Sequence, residues 1–376
     1  MEAVAAACVG WVLYVLVGYP LLLGWRARRP RPVRRQFTPR SVSVLLPVHN
    51  GAAWLARKLE SLRALEYPAD QLEIFVLLDG GSDGSEEIAR RYAASDARIR
   101  VLALARAGKA VALNHGMEAA RGEILFFTDV RQPLAPDALQ RLVACFADPA
   151  VGVVTGELIL TDGRTQEEAQ VGLYWKYEKW IRRRLSALDS VLGATGCIYA
   201  MRRELARPLP PDTLLDDVHL PLYAFRAGYR IVMEEAAKAY DEPVRLEQEF
   251  RRKVRTQAGI FQIMRAFPEL ITPGRRMWLD FVSYKAGRLS LPWVLLLLAA
   301  ASWGMADPLR PWALGAQGAF YATALVDLWI PERTLAKRLT APVRTFVALM
   351  AAAACAVAVF FVPPQRLWRI PSGTAR

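Results

Sequence analysis

Ser43-Val44-Leu45-Leu46-Pro47-Val48-His49-Asn50-Gly51 runs from an unbroken apolar stretch into polar residues and a glycine. Phe75-Val76-Leu77-Leu78 repeats the pattern and passes into Asp79-Gly80-Gly81-Ser82-Asp83-Gly84-Ser85. A short apolar run closed by turn residues reads as a strand buried on both faces. Working outward, the candidate strands are Ser41–Leu46, Leu72–Leu78, Ile99–Leu104 and Ile124–Thr128, with Gly152–Leu160 and Thr195–Met201 later. Helical stretches fall between them at Ala52–Leu65, Ser85–Ala94, Lys109–Ala120 and Pro136–Ala147. Strands alternating with helices predict an α/β domain with a largely parallel sheet, reaching to about Tyr240. No internal repeat is present.

In such sheets a ligand sits in the crevice beyond the carboxyl ends of the strands. Three polar clusters end three strands: Pro47-Val48-His49-Asn50-Gly51, the turn opened by Asp79, and Asp129 after Phe126-Phe127-Thr128. Asp79 directly ends a buried strand and is expected to face the crevice. Asp83 and Ser82 suit the cap of the next helix. Neither a Walker A loop nor a GxGxxG fingerprint occurs, which argues against phosphate cradles of those kinds and against a dinucleotide fold.

The flanks are of another character. The chain has 376 residues, 53% of them hydrophobic, and a mean hydropathy of +0.15, too apolar for an ordinary soluble enzyme. The excess gathers at Ala3–Leu23 and beyond Leu289. Ala3–Leu23 spans roughly the 20 residues one crossing needs. Arg26, Arg28, Arg29, Arg31, Arg34, Arg35 and Arg40 follow with no acid among them, the mark of a cytoplasmic flank rather than of a cleaved signal peptide. Leu289–Met305, Trp312–Ile330 and Phe346–Val362 are the later candidates, the last short enough to lie in the interface instead, so the count is three or four spans. Arg333, Lys337, Arg338 and Arg344 place the loop between the last two in the cytoplasm; Arg366, Arg369 and Arg376 then fall outside, against the trend. Between the domain and these spans, Gly259–Leu289 mixes aromatic and basic residues as helices on a membrane surface do, and as ordinary amphipathic helices also do. With the basic residues beside apolar segments, the net charge of +13 points to membrane lipid and phosphate-bearing ligands, not to nucleic acid. Four cysteines without CxxC spacing and three histidines give no disulfide framework and no histidine-built metal centre.

Gly108-Lys109-Ala110-Val111-Ala112-Leu113-Asn114 and Gly122-Glu123-Ile124-Leu125-Phe126-Phe127-Thr128-Asp129 complete, in order and at suitable spacing, a set begun by the two opening stretches. Together the four resemble the family 2 glycosyltransferases, the inverting group of GT-A (Rossmann-like) fold that includes cellulose, chitin and hyaluronan synthases. The resemblance runs from about Ser41 to Thr256. It implies that Pro47, Asn50 and Asp79 line the nucleoside pocket, with Asp79 at the base or ribose, and that Lys109 lies near the phosphates. Asp129 matches the first aspartate of the family's Asp-x-Asp, which contacts metal and nucleotide. Here the motif reads Asp129-Val130-Arg131, so a second carboxylate is missing. A divalent cation, Mg²⁺ or Mn²⁺, is expected on Asp129, the diphosphate and water; Arg131 either shares the charge neutralisation or forms an ion pair.

Leu215-Asp216-Asp217-Val218 resembles the family's acidic motif, which makes Asp217 the catalytic base and Asp216 its acidic neighbour. Inverting transfer needs one carboxylate to take the acceptor's proton. Capping of the helix running toward Ala227 is the other use of the pair. Arg252-Lys253-Val254-Arg255-Thr256 stands where processive relatives carry Gln-x-x-Arg-Trp. Arg252 and Arg255 suit the leaving diphosphate, and Thr256 in place of tryptophan argues against processive polymerisation. Gly193-Ala194-Thr195-Gly196-Cys197 resembles the acceptor-side loop, its cysteine suited to packing. Tyr174, Trp175, Tyr177 and Trp180 with Arg182–Arg184 suit a sugar or lipid acceptor, and core packing equally.

The expected order is a transmembrane helix over 1–25, a basic cytoplasmic linker over 26–40 and the GT-A catalytic domain over 41–257. Amphipathic interfacial helices follow over 258–288, two or three transmembrane helices within 289–362, and a tail over 363–376. The expected protein sits in an inner membrane of bacterial type with its catalytic domain cytoplasmic. It moves a sugar from a nucleotide-diphosphate donor, expected to be a UDP-sugar, to a lipid-linked or glycan acceptor. A processive synthase and a non-catalytic nucleotide-binding scaffold are the alternatives.

Overall fold

The computed structural model describes residues 1–160, 166–242, 246–331 and 334–363, with backbone alone for 166–175 and 246–249. The chain divides into two compact units. One holds Arg29–Thr161 and Arg182–Asp241, the other Met1–Arg28, Asp162–Ile181 and Glu242–Arg376.

The first unit is built on a seven-stranded sheet: β1 (Val42–Val48), β2 (Leu72–Asp79), β3 (Ile99–Leu104), β4 (Ile124–Phe127), β5 (Val151–Leu160), β6 (Tyr199–Arg202) and β7 (Arg230–Asp241), in the spatial order β3-β2-β1-β4-β6-β5-β7. β1 to β4 are mutually parallel, β6 runs antiparallel to β4 and β5, and β7 is parallel to β5. Val42 to Leu46 and Ile124 to Phe127 are all buried, which their continuous apolar runs require in a sheet covered on both faces. β2 lies on one side of β1 and β4 on the other. The strand order therefore reverses at β1, and the crevice of such a sheet opens at that switch point.

The α/β expectation holds, with differences at the edges. β6 starts at Tyr199 instead of Thr195, because residues 195–198 form the turn that leads into it. β7 is a strand that periodicity did not single out, since Glu234-Glu235 interrupt its apolar pattern. Glu234 is nevertheless buried, answered by Arg35 at 2.7 Å. Arg31 pairs with Asp189 and Arg40 with Glu123. Three arginines expected only as a basic flank thus tie the linker to the sheet unit. This unit ends at Asp241, short of the expected boundary at 257.

In the second unit, Glu2–Arg26, Trp278–Trp303 and Leu335–Phe360 are helices long and apolar enough to cross a membrane. Tyr14 meets Ser283 at 2.7 Å, Trp11 donates to Ser290 at 2.9 Å, and Arg26 holds Asp280 through both carboxylate oxygens. Trp278–Trp303 runs through Leu289, where an interfacial segment was expected to give way to a span. Lys337, Arg338 and Arg344, expected in a loop, lie on the helix that begins at Leu335. Lys337 and Arg344 point their cations at the buried Asp327. The segment 312–330 forms the helix Leu309–Val326, which is not among the three. Arg333, Arg366, Arg369, Arg376 and the side chains of Tyr174 and Trp175 lie outside the described residues.

Candidate active site

At the end of β1 the chain turns through Asn50, a non-glycine residue at φ +49°. Its Oδ1 accepts from the Ser82 amide at 3.1 Å, and the His49 Nδ1 meets the Asp79 carbonyl at 2.9 Å. The loops after β1 and β2 are therefore one bonded layer. Pro47 is half-buried beneath it and Asn50 is exposed. Asp83 accepts from the Ser85 amide and hydroxyl and from the Ala52 amide, so it serves the starts of two helices. Burial raises its pKa, but these hydrogen bonds outweigh that and hold it below the usual carboxylate value. The cap position of the helix after β2 is Gly84, so Asp83 braces that turn from one residue earlier instead of capping it as expected.

Asp79, expected to face the crevice at the end of β2, is engaged by the loop that follows β3. It is buried and accepts from the Ala107 amide at 2.7 Å, the Gly108 amide at 3.0 Å and the Arg106 guanidinium at 2.6 Å. Its two oxygens clasp the loop between β3 and the next helix. The backbone reason is Gly80, at φ +60°, whose missing Cβ would stand 2.7 Å from the Arg106 amide. Any nucleoside contact by Asp79 shares oxygens already engaged.

That clasp sets Lys109 at the first position of helix Lys109–Ala119. A cation there opposes the helix dipole, so its position calls for compensation. The compensation is acidic: Lys109 Nζ lies 3.0 Å from Asp129 Oδ1 and 3.1 Å from Asp216 Oδ2. Burial lowers the lysine pKa, but Asp129, Asp216 and Asp217 outweigh it and raise the value above the ordinary one. Lys109 is therefore a fixed cation.

Asp129 follows β4 on a loop held from below. Thr128 donates to the Cys197 carbonyl at 2.7 Å, and Lys58 Nζ donates at 2.6 Å to both Thr128 Oγ1 and the Gln132 carbonyl. Burial pushes the Lys58 ammonium down to about 7, and a neutral amine still has two N–H groups for those two acceptors. Burial also pushes the Cys197 thiol up to about 12, so it is a packing residue, not a nucleophile. Arg131 pairs with Asp241, which also accepts from Gln132 at 2.7 Å. Of the two readings of Arg131, the ion pair is the one present.

Asp216 and Asp217 open helix Asp216–Arg226, where first-turn acids favour the dipole. The cap position itself is Leu215, so neither aspartate caps with its side chain. Asp216 is buried and Asp217 half-buried. The Ala194 amide donates to the Asp217 carbonyl at 2.7 Å, and a Cβ on Gly196 would stand 3.1 Å from Asp217 Oδ2. The loop Gly193–Cys197 thus wraps the base candidate, and a side chain at 196 would press on its carboxylate.

Sequence reasoning missed Tyr199, the first residue of β6. Its ring stacks on Phe127 at 4.5 Å and 4°, and it is fully buried. Its pKa is raised well above the ordinary value, first by burial and then by Asp216, Asp217 and Asp129. The β4–β6 pairing sets it opposite Phe127, two residues before Asp129. Arg252 and Arg255 belong to the other unit, on helix Leu246–Ala266, both half-buried.

A divalent cation has a limited donor set. No group of three or more His, Cys, Asp or Glu side chains among the described residues is placed to hold one. His219, on the helix of Asp217, is buried and kept neutral, its pKa pushed down to about 4 by burial. Asp129, its side chain 37% exposed, is the accessible carboxylate. One carboxylate with substrate phosphates and water is a normal Mg²⁺ environment. The residues therefore fit a cation that arrives with a diphosphate, not a resident metal centre.

Residues 43–209 match the family model described as glycosyl transferase family 2. Asp216 and Asp217 lie just beyond the matched segment. The beta-monoglucosyldiacylglycerol synthase of Trichormus variabilis is 26% identical over 235 residues, covering 58% of this chain and 49% of the relative. An N-acetylglucosaminyltransferase of Bradyrhizobium diazoefficiens is 27% identical over 299 residues, covering 73% of this chain and 60% of the relative. Each match thus spans less than two thirds of the relative's own length. Among solved structures, a mannosyltransferase of Pyrobaculum calidifontis, in complex with GDP-Man and Mn²⁺, superposes with a TM-score of 0.69 at 24% identity, covering 93% of this chain and 99% of that one. The likeness extends the GT-A-like fold over nearly the whole chain, and residues 43–209 of the sheet unit are the part that matches the glycosyl transferase family 2 model.

Proposed function

We propose that the protein is an inverting glycosyltransferase that moves a sugar from a nucleotide-diphosphate donor to a lipid-linked or glycan acceptor at a membrane surface. The observation that carries this reading is the acid-lysine-acid constellation at the strand ends. One ammonium stands between Asp129 and Asp216, with Asp217 next in the chain. In the proposed reaction Asp217 takes the proton from the acceptor hydroxyl as that oxygen bonds to the anomeric carbon. The bond from that carbon to the diphosphate breaks, and the nucleoside diphosphate leaves with the electron pair. Lys109 turns from the carboxylates to the leaving group, whose charge grows in the transition state. A divalent cation, when bound, would be held by Asp129 and would neutralise the same diphosphate. Pro47 and Asn50 flank the nucleoside side of the crevice, and Arg252 and Arg255 remain proposals for the diphosphate. The three long apolar helices support a membrane-borne acceptor, with the sheet unit on the cytoplasmic side of the membrane.

The test is nucleoside diphosphate release from a panel of UDP- and GDP-sugars by detergent-solubilised protein, with Mg²⁺, with Mn²⁺ and with chelator, in the presence of membrane lipid extract. Release from one donor, dependent on the lipid, is expected. Nucleotide binding without release under every condition would favour a non-catalytic scaffold. A ladder of long glycans would overturn single addition, the mode to which Thr256 points.

A further inference from the structure

Asp216 is 5% exposed, and among the described residues its charge is answered by Lys109 at 3.1 Å. The proposed reaction, on which this inference rests, draws Lys109 toward a diphosphate. That would leave a buried carboxylate without its cation, a costly state unless another donor replaces it. One buried donor stands on the strand next to β4. Tyr199 is 0% exposed, and its hydroxyl has no hydrogen-bond partner among the described residues. Buried hydroxyls left unpaired are rare and call for an explanation. The ring is held flat on Phe127 and pinned by the β4–β6 register, so the phenol is not free to swing away. Asp129 stands two residues beyond Phe127, the partner of Tyr199 across the sheet, and Lys109 joins Asp129 to Asp216. β6 runs antiparallel to β4, so its first residue stands at the carboxyl end of β4, the side on which the crevice opens.

We propose that Tyr199 is a positioning residue: its hydroxyl donates to Asp216 when Lys109 turns to the donor diphosphate. The exchange keeps Asp216 ionised and in place, and with it the start of the helix that presents Asp217. No bond is made or broken at Tyr199, which transfers no proton.

The decisive variant is Tyr199→Phe, which removes the hydroxyl and keeps the stacked ring. Its kcat should fall about ten- to a hundredfold, the worth in rate of a hydrogen bond to a charged group. Donor KM should stay within about twofold, since the exchange follows the charge that grows on the leaving diphosphate, a charge that free UDP and GDP already carry. The acid limb of the kcat profile should move to higher pH, because a carboxylate deprived of a donor protonates more readily. Melting temperature should not fall, because deleting an unpartnered buried hydroxyl is neutral or stabilising. A readout free of turnover is the near-ultraviolet tyrosine spectrum. Adding UDP or GDP should shift it to longer wavelength in the wild type, and Tyr199→Phe should lack that shift. Wild-type kcat in the variant, or an unchanged spectral shift on bound nucleotide, overturns the proposal alone. A kcat loss accompanied by lost stability also overturns it, in favour of simple packing. Wild-type protein that binds neither UDP nor GDP overturns the donor-site reading and this inference with it.

Discussion

Asp217 and Asp216 differ by one position and by their surroundings. Asp216 is sealed against Lys109, while Asp217 is half-buried beside a glycine that leaves its carboxylate room. That division suits the roles proposed for them, Asp216 holding charge and Asp217 taking the proton. Asp217→Asn should therefore lower kcat by about a hundred- to ten-thousandfold, the range for loss of a general base. Its affinity for UDP or GDP, measured by titration calorimetry, should stay within about twofold of wild type, because the proposed site meets the diphosphate with Lys109. An unchanged turnover would remove the base assignment. The acids themselves were legible in the sequence, through residue type and spacing. Their pairing with one lysine was not, because Lys109 and Asp216 are remote in the chain and meet only across the sheet.

Among the elements, β4 and its loop depend on Lys58, which reaches from helix Ala52–Arg63 to Thr128 and Gln132. Lys58→Met should destabilise the protein by about 1–3 kcal/mol, since two buried acceptors lose their donor. The pH dependence has a definite sign. The folded-state pKa, about 7, lies below the unfolded value of about 10.4. The cost of a buried ammonium is therefore full below pH 7 and is relieved as pH rises toward 10. Wild-type thermal stability should gain on that of the variant between about pH 6.5 and about pH 9; parallel curves would refute a perturbed Lys58. β1 to β4 were readable because a parallel, two-sided strand must be apolar throughout. β7 was not, because the Glu234 charge is held inside by Arg35, a residue far off in sequence, with the Ala236 amide and the Cys145 thiol also donating to it.

At the scale of the whole molecule, the helices of the membrane-type unit are joined by polar contacts, a sensible arrangement where burial against lipid offers little drive for association. Asp280, 1% exposed, accepts from Arg26 at 2.7 and 3.2 Å and from Tyr19 at 3.2 Å. Asp280→Asn should cost roughly 2 kcal/mol, below the figure for a fully buried pair because Arg26 is partly exposed. A lowered melting temperature in detergent, with nucleotide affinity retained, is the expected result; an unchanged melt would show that the pair contributes nothing.

Residue order alone determined the sheet class, the crevice at the strand ends, the polar clusters that line it and the presence of long apolar helices. Each follows from local periodicity or from a short motif, and local signals survive in a linear chain. Tertiary structure decided the rest. It showed that Asp79 clasps the loop before Lys109, and it gave Arg131 to Asp241. It moved three linker arginines onto the sheet and set Tyr199 opposite Phe127, two residues before Asp129. All of these are matters of which charge meets which across strands, and burial settles them: a charge or hydroxyl removed from water must find a partner, and the fold alone determines which one is within reach.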